Sequence, residues 1–149
     1  MKKKIIILFL CLLITNIQSL NAEEKFLSLK KNKVNVRYGP SFESEIKYIY
    51  EKINLPVKQI DQKENFRRIV DLKNNSGWIH VSQIKKSNSI IILEDKILFK
   101  KASNFSKPIA RLEKGRLLII KKCENTWCNI KTGDYSGWVN NQNVWGSIN

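Results

Sequence analysis

Short stretches in which apolar and polar residues alternate dominate the chain after residue 23. Val34–Arg37, Pro56–Ile60 and Ile97–Lys100 are clear examples, and turn-forming residues bound each of them. Alternation with a period of two places successive side chains on opposite faces of a strand. Ser41–Tyr50 comes closest to a helical pattern and could form one helical turn. The pattern predicts an all-β protein of many short strands, closed into small barrels or sandwiches.

The pattern also recurs within the chain. Asn75–Ile79 returns as Asp134–Val139, so that Gly77-Trp78 is repeated as Gly137-Trp138. Upstream, Glu64–Ile69 and Glu124–Ile130 each place an aliphatic residue three positions after an aromatic one. Several features recur in the same order with nearly constant spacing, which indicates an internal repeat.

The repeat divides the chain into two copies. We predict copy one over residues 23–87 and copy two over residues 88–149, with a short polar linker near Lys85–Asn88. Ser89–Leu93 is a concentrated apolar run that would be prone to aggregation if it were exposed. We expect it to be a strand packed on both sides, either the first of copy two or one that joins the copies.

Residues 1–22 are typical of a secretory signal peptide. A basic start at Lys2–Lys4 precedes the apolar run Ile5–Ile14, and Ala22 is a small residue suited to cleavage. The run is about half the length of the roughly 20 residues that span a membrane. We therefore expect export to the bacterial periplasm, with membrane contact only during export. An anchor that is not cleaved is the alternative.

Positive charge is the strongest compositional signal. Removing Lys2, Lys3 and Lys4 lowers the formal charge from +14 to +11. Such a charge can indicate nucleic acid or another anionic partner. Lys, Ile and Asn, the commonest residues, have AT-rich codons, so base composition explains much of the charge. Export also separates the protein from nucleic acid, and we predict no nucleic-acid partner.

The processed chain contains two cysteines, Cys123 and Cys128. An oxidising compartment favours their pairing. A two-residue turn at Asn125-Thr126 would place the cysteines opposite each other in a hairpin, within disulfide range. A redox pair is the weaker alternative, because Cys-x-x-Cys spacing is absent. In the following strand, Trp127 and Ile130 should point to opposite faces unless a bulge intervenes.

The residues resemble those of bacterial SH3-like (SH3b) domains. Val34–Ser41 is similar to the opening of these domains, which combines an Asn-x-Arg element with Gly-Pro. The aromatic-x-x-aliphatic element, turn and Gly-Trp ending is their other hallmark. Phe66–Ile79 carries this ending in copy one and Trp127–Val139 carries it in copy two. Copy two departs from the opening at Lys101–Ser103. The Cys123–Cys128 element and Trp145-Gly146 resemble the exported two-copy alphaproteobacterial type.

The resemblance implies two tandem small SH3-like barrels, each of five or six strands. It also implies non-catalytic binding to peptidoglycan, to a cell-wall peptide or to a periplasmic cell-wall protein. The alternative is a structural or protein–protein interaction scaffold without a groove for a small ligand. The predicted contact residues all lie in copy one: Arg37, Tyr38, Tyr48, Trp78 and His80.

Individual side chains support these roles to different degrees. Arg37 can bind a carboxylate bidentately, or can pack along the barrel and remain hydrated. Gly77 allows a positive φ or a kink, after which Trp78 packs in the core or lines a groove. His80, the only histidine, should share a face with Trp78 as a half-exposed strand residue. We predict no catalytic residues, cofactor or metal, because a lone histidine lacks zinc co-ligands and a nucleophile.

Overall fold

The computed structural model describes residues 24–148, so the predicted signal peptide lies outside the described residues. Copy one contains seven strands and one 3₁₀ helix, Val81–Gln83. The strands are β1 (Phe26–Leu29), β2 (Val34–Arg37), β3 (Ile46–Tyr50), β4 (Pro56–Lys63), β5 (Phe66–Val70), β6 (Ser76–His80) and β7 (Ile84–Lys86).

Copy two repeats this sequence of strands. Its seven strands are β8 (Ser89–Ile92), β9 (Lys96–Phe99), β10 (Pro108–Leu112), β11 (Leu117–Glu124), β12 (Trp127–Thr132), β13 (Tyr135–Asn140) and β14 (Val144–Trp145). The all-β prediction is confirmed. Ser41–Tyr50 does not form a helical turn, because β3 pairs with β2 and places Tyr48 opposite Val36.

Each copy forms one antiparallel sheet with the same strand order. The order is β3-β2-β6-β5-β4-β1-β7 in copy one and β10-β9-β13-β12-β11-β8-β14 in copy two. Advancing each label by seven converts the first order into the second, which confirms the internal repeat. There are seven strands per copy rather than the expected five or six, because short terminal segments pair with each other as β1 with β7 and β8 with β14.

Alternation along the strands builds a separate core in each copy. In β2, Val34 and Val36 point inward and are fully buried, whereas Asn35 and Arg37 remain partly exposed. The core of copy one consists of Leu29, Val34, Val36, Val57, Ile69 and Ile79. The core of copy two consists of Ile90, Ile92, Leu98, Leu112, Leu118, Cys128, Ile130 and Val139. Each such aliphatic side chain contributes about 1.5–3 kcal/mol by burial.

The two copies contact each other through β1 and β8. The buried hydroxyls of Ser28 and Ser89 lie 2.8 Å apart, which satisfies two polar groups that would be costly to bury alone. The Trp145 indole N–H donates to the Pro56 carbonyl at 3.0 Å, and its ring meets Phe26 edge to face at 5.1 Å. All four residues of β8 are buried, which confirms the strand predicted at Ser89–Leu93.

Candidate functional site

The glycine before each tryptophan is required where two strands cross closely. Gly77 and Gly137 are not among the residues with positive φ, so the left-handed alternative is wrong. A methyl group at Gly137 would lie 2.6 Å from the Phe99 carbonyl oxygen, and one at Gly77 would lie 3.0 Å from that of Arg37. Glycine therefore allows the last long strand of each copy to reach its neighbour.

This crossing places Trp78 on the outer face of copy one. Trp78 is half-buried and lies outside the core, while the next residue, Ile79, is fully buried. Alternation forces one of the two outward, and the sheet curves around the aliphatic side chain. The core-packing interpretation of the tryptophan is therefore wrong. Trp78 pairs with Arg37 on β2 and with Arg68 on β5, so an arginine lies opposite it on each neighbouring strand.

Arg37 supports the loop that follows β2. Its guanidinium Nη1 donates to the carbonyl oxygens of Phe42 at 3.0 Å and Ser44 at 2.6 Å. The Tyr38 amide donates to the Glu45 carbonyl at 3.1 Å, which closes the base of the loop. Part of the arginine's hydrogen-bonding capacity thus preorganises the loop that holds Tyr38 at the rim.

The loop and the outer face enclose a small cleft. Its volume is about 240 Å³, and it is lined by Arg37, Tyr38, Lys47, Arg68, Ser76, Gly77 and Trp78. Three of these side chains are cationic and none is acidic. The Lys47 ammonium lies 5.6 Å from the centre of the Tyr38 ring, and Tyr38 is 65% exposed. This combination of fixed cations and flat rings suits a carboxylate on a small organic ligand.

An aromatic ledge continues from the cleft. Phe42, Phe66 and His80 form it, with ring centroids 4.8–5.3 Å apart. His80 is half-exposed and shares the outer face with Trp78, as predicted. Its Nδ1 lies 2.9 Å from the Ser82 hydroxyl. The Arg37 guanidinium lies 5.7 Å from the centre of the Phe42 ring and connects ledge and cleft.

Tyr48 lies apart from the cleft. Its hydroxyl is 3.3 Å from that of Tyr50, which donates to the Asp71 carboxylate at 3.0 Å. Desolvation by burial raises the pKa of both phenols; the hydrogen bond with Tyr48 raises that of Tyr50 further. Asp71 also accepts hydrogen bonds from the Lys73 and Asn75 amides. Tyr48 therefore belongs to a polar cluster that secures the β5–β6 turn.

Of the five predicted contact residues, three line the cleft and His80 adjoins it. The structure adds Lys47, Arg68 and Phe42, which the sequence analysis did not select. Arg68 follows the hallmark Phe66 by two residues, so alternation alone puts both on one face. The alternation that places Arg68 on this face can be read from the sequence. Phe42, in the β2–β3 loop, and Lys47, on β3, reach the site only because the loop brings β3 back to pair with β2.

The cysteine prediction is confirmed. Cys123 and Cys128 form a disulfide, and they face each other in the β11–β12 hairpin with Cα atoms 4.0 Å apart. Asn125 occupies the left-handed region in the turn between them, at φ 51°. Trp127 is half-buried outside the core cluster, whereas Ile130 is fully buried, so the two side chains point to opposite faces.

The chain belongs to the bacterial SH3 domain family. The family model, described as bacterial SH3 domain, matches residues 30–86 and again residues 96–146. Domains of this family are binding modules that commonly recognise cell wall or proteins. Comparison with curated proteins found no match.

Two solved structures from Trichomonas vaginalis show partial similarity to this chain. NlpC2 is 11% identical over 83% of this chain, and NlpC1 is 11% identical over 87%, each with a TM-score of 0.39. In both cases the alignment covers 48% of the other chain. This chain thus spans about half the length of those proteins.

Across residues 24–148, no group of three or more His, Cys, Asp or Glu side chains is arranged to hold a metal ion. Within the same described range, no helix is long and apolar enough to cross a membrane.

Proposed function

We propose that this protein is an exported, non-catalytic binding module that recognises a carboxylate-bearing cell-wall peptide on the outer face of copy one. The observation that carries the proposal is that Arg37, Lys47 and Arg68 line one cleft together with Trp78 and without an acidic residue. The signal-like segment at residues 1–22 supports a periplasmic location, where peptidoglycan stem peptides supply such carboxylates.

The cleft favours a peptide end over a long glycan. Its volume of about 240 Å³ lies below the usual range for drug-sized ligands and suits one or two amino-acid residues. Arg68 is exposed and can approach a carboxylate, while Lys47 adds a second positive charge. The faces of Tyr38 and Trp78 offer apolar contact to the aliphatic part of a peptide. Binding and orientation need no proton transfer or nucleophile, consistent with a non-catalytic role.

The direct test is retention on purified peptidoglycan sacculi. The protein from residue 23 onward is incubated with sacculi at physiological salt and again at high salt, and the bound fraction is measured. Arg68→Asn introduces the residue that copy two carries at the matched position. We expect it to weaken binding about tenfold, the loss of one charge-assisted hydrogen bond. Lys131→Asn removes the same charge from an exposed position in copy two and serves as the control.

The two variants separate specific binding from general charge. Retention that survives high salt and falls with Arg68→Asn, but not with Lys131→Asn, supports the proposal. If both variants lost retention equally, and if high salt abolished the retention of the unmodified protein, the result would mean that a basic protein adheres to an anionic polymer. That outcome would contradict a specific site.

A scaffold for protein partners is the second candidate. The contact of Trp145 with Phe26 and Pro56 favours it, because this contact packs the two barrels against each other.

A partner would bind elsewhere on the surface. In this second function, the aromatic ledge of Phe42, Phe66 and His80 receives an apolar side chain of a periplasmic protein. Absence of retention on sacculi, together with crosslinking of a protein partner through a photoreactive group at Phe42, would favour this function.

A further inference from the structure

The loop between β9 and β10 in copy two presents an unusual surface. Phe105 is 101% exposed, the highest value among the exposed large hydrophobic side chains of residues 24–148. Lys100, Lys101 and Lys107 surround it in the loop and are themselves exposed. No acidic residue occurs between Asp95 and Glu113. An apolar side chain thus projects into water from a loop that also carries three exposed lysines.

The loop is built to hold this side chain outward. The Lys101 amide donates to the Ser106 hydroxyl at 2.9 Å, and the Phe105 amide donates to the Ser103 hydroxyl at 3.2 Å. The Lys100 amide donates to the Lys107 carbonyl at 3.0 Å and closes the loop base. These bonds define the backbone locally, so the position of Phe105 does not depend on packing of its ring.

Copy one provides a matched loop with different chemistry. The Glu43 amide donates to the Ser41 hydroxyl as that of Phe105 does to Ser103, and the closure between Tyr38 and Glu45 matches that between Lys100 and Lys107. In this alignment Phe105 replaces Glu43 and Lys107 replaces Glu45. The two loops therefore share their backbone hydrogen bonds. Where copy one has two negatively charged side chains, copy two has one aromatic ring and one positively charged side chain.

We propose that the 100–107 loop of copy two docks on an anionic lipid bilayer, with Phe105 entering the interface and the three lysines contacting headgroup phosphates. Charge complementarity selects an anionic surface, since each lysine near such a membrane adds to the attraction. The exposed phenylalanine selects lipid over a hydrated wall polymer, because only an apolar phase removes its ring from water. The proposal extends the role predicted from sequence, in which the membrane mattered only during export.

The test is co-sedimentation of the protein from residue 23 onward with vesicles. This form retains every described strand and omits the apolar Ile5–Ile14 run, which would partition into lipid by itself. Vesicles of equal parts phosphatidylglycerol and phosphatidylcholine are compared with vesicles of phosphatidylcholine alone. We expect binding to the anionic vesicles only.

Variants then separate the ring from the charges. Phe105→Ser should weaken binding to anionic vesicles about tenfold, and replacing Lys100, Lys101 and Lys107 by Gln should weaken it further. Ile60→Ser removes an exposed apolar side chain of copy one outside the cleft and the ledge, and as a control it should leave vesicle binding unchanged. Phe105 is fully exposed, so Phe105→Ser should also keep the thermal unfolding midpoint.

A fluorescent reporter locates the contact. The emission of an environment-sensitive dye attached at Asn104→Cys should shift to the blue when anionic vesicles are added, and the emission of the same dye at Glu43→Cys should not.

Vesicle binding that is insensitive to Phe105→Ser and gives no shift of the dye emission would overturn the proposal in favour of general charge attraction. Retention on sacculi that falls with Phe105→Ser, without vesicle binding, would overturn it in favour of the wall polymer. Arg68→Asn should leave vesicle binding intact, so failure here is distinct from failure of the proposed peptide site.

Discussion

The outer faces of the two copies share a backbone but differ in chemistry. In copy one, Trp78 lies between Arg37 and Arg68, beside an open cationic cleft. In copy two, Trp138 lies between Phe99 and Asn129 at the matched positions.

Copy two's face is occupied by its own side chains. The Phe99 ring packs against Trp127 at 5.8 Å, and the Lys122 ammonium lies 5.2 Å from the centre of the Trp138 ring. The difference shows that one repeat frame can leave an open cationic cleft on the outer face of one copy, while the other copy fills the same face with its own side chains. Three predictions test how far the copies have diverged. The two barrels contact each other, so a measurement of global unfolding does not separate them. Each prediction is therefore also checked by hydrogen exchange, which reports on the stability of each copy.

The largest expected effect concerns the two crossing glycines. A methyl at Gly137 meets the Phe99 backbone, whereas one at Gly77 first meets the side chain of Val36. Val36 is fully buried and β-branched and the Arg37 carbonyl oxygen lies 3.0 Å away, so the neighbours of Gly77 cannot move aside either. Gly137→Ala and Gly77→Ala should each cost about 3 kcal/mol of unfolding free energy. Chemical denaturation measures both. Lys131→Ala, at an exposed strand position, should stay within about 0.5 kcal/mol of the unmodified protein. A loss for either glycine variant as small as that of Lys131→Ala would contradict the close crossing.

The disulfide gives the second effect and belongs to copy two alone. Copy one carries Gln62 and Arg67 opposite each other at the corresponding positions of its hairpin. Replacing Cys123 and Cys128 by Ala should lower the free energy of unfolding by about 2 kcal/mol, the value for a short closed loop. Reductant should lower the stability of the unmodified protein by a similar amount and leave the double variant unaffected. Equal loss of exchange protection in both copies would refute a local role.

The smallest effect is an alkaline destabilisation of copy one. Desolvation raises the pKa of Tyr48 and Tyr50 in the folded state, whereas an unfolded tyrosine ionises near pH ~10. Their contribution to stability is therefore complete below about pH 10 and lost as the pH rises above it. Both phenols remain partly exposed, so solvent screening keeps this loss below the one expected for the disulfide. Copy two carries Ala110 and Leu112 at the matched strand positions.

Hydrogen exchange should therefore show copy one losing protection first above about pH 10. Tyr50→Phe removes one of the titrating groups while keeping the ring, and should reduce the slope of stability against pH. Every other side chain is the same in the variant and the unmodified protein, so the comparison between these two isolates Tyr50. An unchanged slope would mean that Tyr50 ionises as readily in the folded state as in the unfolded one.

Much of the fold could be predicted from short-range patterns. Alternation identified strands such as Val34–Arg37, the recurring Gly-Trp pair identified the repeat, and the spacing of Cys123 and Cys128 predicted the hairpin disulfide. The candidate site was harder. Arg37, Tyr38 and Trp78 meet at the cleft, but Tyr48 lies in a separate cluster with Tyr50 and Asp71.

The loop of copy two illustrates the limit of motif comparison. Lys101–Ser103 departs from the Gly-Pro element, yet the backbone hydrogen bonds match those of copy one. A serine hydroxyl at the equivalent position in each loop accepts a backbone N–H and maintains the turn, namely that of Ser41 in copy one and that of Ser103 in copy two. Turn geometry depends on these side-chain acceptors, which a comparison centred on glycine and proline overlooks.

The sequence by itself determined the strand content, the twofold repeat and the pairing of the cysteines, because each depends on spacing over a few residues or on direct self-similarity. Only the tertiary structure decided that Trp78 lies on the outer face opposite two arginines, that Tyr48 lies outside the cleft and that the Phe105 side chain is fully exposed to solvent. Alternation states that neighbouring side chains take opposite faces, but it does not state which face meets the core. That choice depends on the register between strands distant in the chain, and in the observed register Gly77 and Gly137 lie at close crossings where a Cβ atom would clash.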